Sequence, residues 1–242
     1  YPNPLEVSRT PEEEIVHALR YPIASPRLRE IVRPGEKVAI VTSDITRPFP
    51  TAMVLPHILK ELQVAKVNPD DVVVVLGLGI HRPHSDAERE KLIGMPLSAL
   101  CCRDSDPSDC LRLGYTRRGT PVDIFRPVAE ADRRICMGNI EYHYFAGYSG
   151  GAKAIMPGVS TPAAIQNNHR MMVLDESAAG VLEGNPVRED IEEVAEFLPI
   201  DFILNVILDE KKQVVRAVAG HYQKAHRQGC RSHNRRAQPR QP

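Results

Sequence analysis

The amino-acid sequence predicts an α/β fold: a mostly parallel, Rossmann-like sheet flanked by helices, with loops at strand C-termini forming the site. Three observations predict it. Short β-branched runs recur along the chain, stretches with helical spacing alternate with them, and unusual loops follow the strands' carboxyl ends. Residues 37–42 (KVAIVT) read as a buried strand after the turn signal Pro34-Gly35. Over 51–64, Met53, Leu55, Ile58, Leu59 and Leu62 recur at helical spacing. Residues 71–78 (DVVVVLGL) form the second strand, nearly continuous in valine as parallel strands buried on both faces tend to be. Ser85 with Glu88 has capping-box spacing, so a helix is predicted over 85–93. Residues 134–137 read as a short strand and 186–197 as an acidic amphipathic helix. Residues 201–208 (DFILNVIL) are a further strand, which 213–218 pair with across a turn at 209–212, and a helix begins within 219–229. From Cys230 the text RSHNRRAQPRQP has no apolar periodicity and is expected to be disordered or non-native.

The 242 residues are 42% hydrophobic and 26% charged, ordinary globular composition that allows one large domain. Lys plus Arg balance Asp plus Glu at 31 each, so global charge argues for neither nucleic acid nor an anionic membrane as partner. No run approaches the roughly 18–20 apolar residues that span a bilayer. The opening Tyr1-Pro2-Asn3-Pro4 has no initiator Met and no apolar signal core, and reads as an internal start in a longer gene product. Cys101, Cys102, Cys110, Cys136 and Cys230 form no CxxC pair. An odd count without a secretory signal suits reduced thiols and a cytoplasmic location.

Three segments that could carry chemistry each lie just past a predicted strand. They are Ser43-Asp44-Ile45-Thr46-Arg47-Pro48, Gly79-Ile80-His81-Arg82-Pro83-His84, and 139–153. Ligands of open α/β sheets bind beyond the carboxyl ends of strands, so Asp44, Arg47, His81 and His143 are expected on one rim. Arg47 offers a planar fork for carboxylate or phosphate, with Asp44 to orient it or a histidine. The plainer alternative is an Asp N-cap and an ion-paired Arg. His81 can exchange a proton near neutral pH. With His84 it has metal-pair spacing, although Pro83 disfavours a helical metal face. The alternative is one histidine bonded to backbone and one exposed. In 141–158, Gly147, Gly150, Gly151 and Gly158 imply positive φ or close backbone approach. Their amides could form an anion nest beside Lys153, or simply a glycine-rich turn. The spacing lacks the full phosphate-loop pattern. Asn167-Asn168-His169 ends the set, with a structural histidine as the plainer alternative.

Together, SDITRP, GIHRPH, GNIEYHYFAGYSGGAKAIMPGV, NNH and VLEGNPVRED resemble the nickel-pincer lactate racemase family, in order over 38–229. The resemblance implies a racemase or epimerase acting on a small 2-hydroxy acid. It implies a cofactor of nickel and pyridinium-3,5-bisthiocarboxylic acid mononucleotide, loaded by cofactor-synthesis enzymes and joined through a thioamide to Lys153. By the same resemblance His81 and His143 are the acid/base pair, Asp44 and Arg47 are the essential residues of the SDxTRP segment, and His169 ligates nickel. Thr46, Ser149, Gly150 and Gly151 then line the cofactor. Residues 1–229 correspond to the family's N-terminal cofactor-binding domain, expected to be incomplete at its start, with the family's C-terminal domain absent. The cofactor site is expected to be complete and the substrate site open.

Two rival readings remain. A nucleotide- or phosphate-binding module without redox chemistry would use the glycines, Arg47 and Lys153. A zinc hydrolase would use His81, His84 and His143, but shows no carboxylate ligand pattern.

Overall fold

The computed structural model describes residues 9–237, so the expected internal start at Tyr1-Pro2-Asn3-Pro4 and the final residues 238–242 of the expected tail lie outside the described residues. Helices α1 (Pro11–Arg20) and α2 (Leu28–Ile31) precede strand β1 (Val38–Ser43). There follow α3 (Thr51–Val64), β2 (Val72–Gly77), α4 (Asp86–Ile93) and β3 (Cys101–Asp104). A hairpin of β4 (Cys110–Tyr115) and β5 (Pro121–Phe125) leads through α5 (Arg126–Ala129) into β6 (Arg133–Asn139). Beyond β6 lie a small hairpin, β7 (Tyr142–His143) and β8 (Gly147–Tyr148), a 3-10 turn (Gly151–Ala154) and α6 (Pro162–His169). Helix α7 (Pro186–Phe197), β9 (Phe202–Leu208), β10 (Val214–Gly220) and α8 (Tyr222–Ala237) complete the chain.

The main sheet has the order β10-β9-β6-β1-β2-β3. Every neighbouring pair is parallel except β9 with β10. From β1 the chain moves outward through β2 to β3, then returns to the other side of β1 at β6. The reversal between β1 and β6 is the topological switch point, where such sheets open a crevice for ligands.

Side chains alternate along the strands and build two cores. Val38 and Ile40 face α1, α2 and α3 through Ile15, Leu19, Leu28, Ile58 and Leu62. Ala39 and Val41 face the opposite layer, which holds Ile155, Val159 and the α7 residues Val187, Ile191 and Val194. Ile40, Leu55 and Ile58 are fully buried, each burial contributing roughly 1.5–3 kcal/mol. Helix α4 begins with the predicted capping box, in which Ser85 accepts from the Glu88 amide and Glu88 accepts from the Ser85 amide. Among the described residues no helix is long and apolar enough to cross a membrane.

The expectation of disorder from Cys230 is corrected for 230–237, which continue α8. Cys230 packs with Ile140, Tyr148 and Val218. Asn234 accepts hydrogen bonds from the hydroxyls of Tyr148 and, at 2.8 Å, Tyr142. The anchors are a thiol and an amide, which leave no apolar period in the sequence.

Candidate active site

The loops after β1 and β2 meet through a carboxylate and an imidazole. Asp44 is only 3% exposed, and its Oδ2 lies 2.6 Å from His81 Nδ1. Thr46 Oγ1 donates to the other carboxylate oxygen at 2.8 Å. With Nδ1–H given to Asp44, His81 keeps Nε2 as a lone-pair acceptor, on a side chain that is 41% exposed. Asp44 does not cap α3, whose N-cap is Pro50, and Arg47 forms no ion pair with it. His84 serves differently. Its buried ring donates from Nδ1 to Asp104 Oδ1 at 2.6 Å and accepts the Ile45 N–H at Nε2, 3.1 Å away. It therefore braces the two loops against the end of β3 and is not available as a metal partner for His81. The alternative of one backbone-bonded histidine and one exposed one is close to this arrangement, except that His81 is also held by Asp44.

The segment after β6 supplies the other side. His143 Nδ1 accepts the Ala146 N–H at 3.3 Å, which leaves the ring proton on Nε2. The Phe145 ring lies edge-on to both His143 and His169, with centroids 4.6 and 4.9 Å away. Burial, with Lys153, Arg47, Arg188 and His169 nearby, pushes the His143 imidazole down to about 3. Burial, then Lys153, lowers His169 to about 4. Both rings are thus neutral near pH 7. The buried Nε2 of His169 has no hydrogen-bond partner. Lys153 is half-buried by exposure; at its amine the loss of solvation is still the largest effect. That loss, followed by the cations Arg188 and Arg47, holds the amine well below the usual lysine range. The amine forms no hydrogen bond or ion pair among the described residues.

Lys153 acts on both imidazoles and Arg47 acts on His143 and Lys153, while the Phe145 ring contacts both His143 and His169. Arg47 shares its loop with Asp44, which brings the Asp44–His81 pair to the same rim. The Gly79 N–H donates to Gly158 O at 2.9 Å, and Ser105 Oγ donates to the same oxygen at 3.3 Å. The end of the Lys153 segment is thereby docked on the β2 loop.

The glycines act mainly on the protein itself. Gly150 and Gly151 both have positive φ, at 77° and 61°. A Cβ on Gly150 would stand 2.8 Å from Asn205 Oδ1, and one on Gly151 would stand 3.0 Å from the His226 ring. The Gly151 N–H donates to Asn205 Oδ1 at 2.8 Å. An anion nest needs free amides, and this one is taken. Ser149 Oγ donates to Asn139 O at 2.8 Å and accepts the Glu141 N–H at 3.0 Å. Ser149, Gly150 and Gly151 thus shape the turn that carries Lys153, while Thr46 supports Asp44.

Residues unmarked in the sequence reading hold this arrangement. Arg188 is fully buried and donates to Ala146 O at 3.1 Å and to Tyr148 O, tying α7 to the β7–β8 hairpin. Burial lowers its guanidinium to about 10. Asp190 accepts from Thr116 Oγ1 (2.5 Å), Thr120 Oγ1 (2.8 Å) and Asn168 Nδ2 (2.8 Å), which fixes the end of α6 and so His169. Arg188 and Asp190 lie within the matching word VLEGNPVRED, and Asn205 shows as a lone amide inside the apolar run FILNVIL. Among the described residues no three His, Cys, Asp or Glu side chains converge as a metal cage. His169 could therefore ligate a metal only beside donors brought by another group, and the zinc-hydrolase trio is split by the bracing role of His84.

A family model described as the lactate racemase N-terminal domain matches residues 1–180. A curated lactate racemase of Thermoanaerobacterium thermosaccharolyticum is 35% identical over 93% of this chain and 54% of its own length. The lactate racemase of Lactiplantibacillus plantarum is 32% identical over 90% of this chain and 53% of its own. The chain thus spans about half the length of the curated relatives it matches. The solved lactate racemase apoprotein from T. thermosaccharolyticum superposes with a TM-score of 0.86 at 34% identity, covering 92% of this chain and 55% of that one. A Thermotoga maritima protein shares the fold at 19% identity and a TM-score of 0.78, covering 96% of this chain and 60% of that one.

Proposed function

The chain belongs to the family defined by the lactate racemase N-terminal domain, and from that premise we propose that it forms the cofactor-carrying part of a 2-hydroxy-acid racemase or epimerase. One observation carries the reading: an unpartnered Lys153 amine of lowered basicity shares a cluster with the orphaned, neutral Nε2 of His169. A neutral amine is the nucleophilic form needed for attachment. A neutral imidazole with a free nitrogen is the ligating form, and nickel accepts it alongside sulfur donors. The residues present therefore fit nickel and pyridinium-3,5-bisthiocarboxylic acid mononucleotide. Lys153 would hold the organic part and His169 the metal, loaded by cofactor-synthesis enzymes as partners. When bound, that group supplies the hydride acceptor and donor for the substrate's carbinol carbon.

The chain's own residues supply orientation and proton transfer. Arg47, exposed and free of any ion pair among the described residues, is suited to the substrate carboxylate. His81, turned by Asp44, takes or returns the hydroxyl proton at Nε2 on one face. His143 serves the other face: its Nε2–H can be given to the substrate oxygen, and taking a proton at Nε2 requires the ring proton to pass to Nδ1, releasing the Ala146 N–H. All five cysteines are free, in keeping with work in a reducing cytoplasm. A nucleotide-binding module would leave the Asp44–His81 pair and the His169 nitrogen without a task.

The test is interconversion of L- and D-lactate by the loaded protein in D2O. Product that keeps its α-hydrogen supports hydride transfer. Solvent deuterium at the carbinol carbon of the product refutes the reading.

A further inference from the structure

The Lys153 turn is gripped from two elements that come later in the chain. From β9, Asn205 accepts the Gly151 N–H at 2.8 Å and donates from Nδ2 to Gly138 O at 3.3 Å, linking the turn to the end of β6. From α8, the buried His226 brings Nε2 to 2.7 Å from Ser149 O, where only the Nε2–H form can donate to a carbonyl. Its ring fills the space against Gly151 that a side chain would need. Asn205 and His226 are 1% exposed, and neither belongs to the proton-transfer or metal-binding set described above. A buried polar group is retained at a cost unless it is satisfied, and Asn205 Oδ1 and His226 Nε2 both find their partners in this one turn.

We propose that Asn205 and His226 are positioning residues for Lys153: together they clamp 149–151 so that the amine is held in the partly desolvated site beside Arg47 and Arg188, away from bulk water. Releasing either grip lets the turn swing outward, the amine regains hydration, and the proportion of neutral amine at pH 7 falls. The inference rests on Lys153 being the reactive amine of the proposed function, and not on which group it takes.

The experiment follows acylation of Lys153 by an amine-reactive acetylating reagent across a pH series in the unloaded chain, with peptide mass spectrometry reading each lysine separately. Exposure changes the plateau rate, whereas the midpoint of the profile reports the amine's own protonation. Exposed Lys224 and Lys211 serve as internal references. The proposal expects a wild-type midpoint below those references. It expects His226→Leu and Asn205→Ala to raise the Lys153 midpoint by about one unit or more, which is roughly tenfold less free amine at pH 7. It expects His226→Gln, which keeps a donor for Ser149 O, to restore most of the difference. Asn205→Ala lies in β9 and keeps the test usable should His226→Leu not fold. Unchanged midpoints in folded His226→Leu and Asn205→Ala overturn the clamp while leaving the proposed function standing. A wild-type Lys153 midpoint equal to the references overturns the reading of Lys153 as the reactive amine, and the clamp with it.

Discussion

The Nδ1 of His81 lies 2.6 Å from the Oδ2 of Asp44, joining the loop after β1 to the loop after β2. The contact fixes which ring nitrogen carries the proton. Nε2 is then the acceptor, on the exposed side of the ring.

Asp44→Asn keeps the volume but can offer an amide N–H to Nδ1, which moves the ring proton to Nε2. Loaded Asp44→Asn protein is expected to lose about 10²–10⁴ in racemisation rate with little change in melting temperature. A loss below about tenfold would remove the pair from the proton-transfer role.

The orphaned Nε2 of His169 sets stability against function. An unsatisfied buried nitrogen costs about 1–3 kcal/mol. His169→Leu is expected to stabilise the metal-free protein by about 1 kcal/mol while lowering nickel retained after loading and dialysis. Denaturant titration and metal analysis on the same preparation check both halves.

Acid sensitivity follows from the two lowered imidazoles. Above the ordinary histidine range, near 6.5, both are neutral folded or unfolded. Below it the unfolded chain takes up protons that the folded protein refuses until about 4 at His169 and about 3 at His143. Unfolding then binds protons, so stability falls as pH falls through that window. Melting temperatures between pH 7 and 4 should decline, and the decline should be shallower in His143→Gln/His169→Gln. An equal slope in the double variant would assign the acid response elsewhere.

In acid, a protonated Lys153 opposes proton uptake by His143. In Lys153→Gln the imidazole midpoint, followed by nuclear magnetic resonance, should rise from about 3. The same rise is expected on attachment through Lys153. No rise would mean that burial, with Arg47, Arg188 and His169, holds His143 neutral without Lys153.

Much of this was readable in the sequence, for physical reasons. The valine-rich 71–78 and β-branched 37–42 can pack in few ways besides a buried parallel strand, and β2 and β1 lie there. The apolar spacing of 51–64 and 186–197 matches α3 and α7 end to end. The edge strand β3 (CCRD) and the β4–β5 hairpin carry charged residues and no long apolar run, so periodicity does not reveal them. The rim of Asp44, Arg47, His81 and His143 followed from the rule for strand carboxyl ends. The clamp did not, because Asn205 and His226 become meaningful only once β9 and α8 are laid against the Lys153 turn. The glycine pair looked like an anion nest because a sequence does not show which amide a distant side chain will occupy.

The proposed function depends on Lys153 carrying the cofactor. The direct measurement is intact-protein mass with peptide mapping and nickel analysis after co-expression with cofactor-synthesis enzymes, beside a curated relative loaded in parallel. An adduct of mononucleotide size on Lys153 with bound nickel, both lost in Lys153→Ala, is the expected result. An adduct on another lysine, or an unmodified, folded chain where the relative is fully loaded, would contradict it.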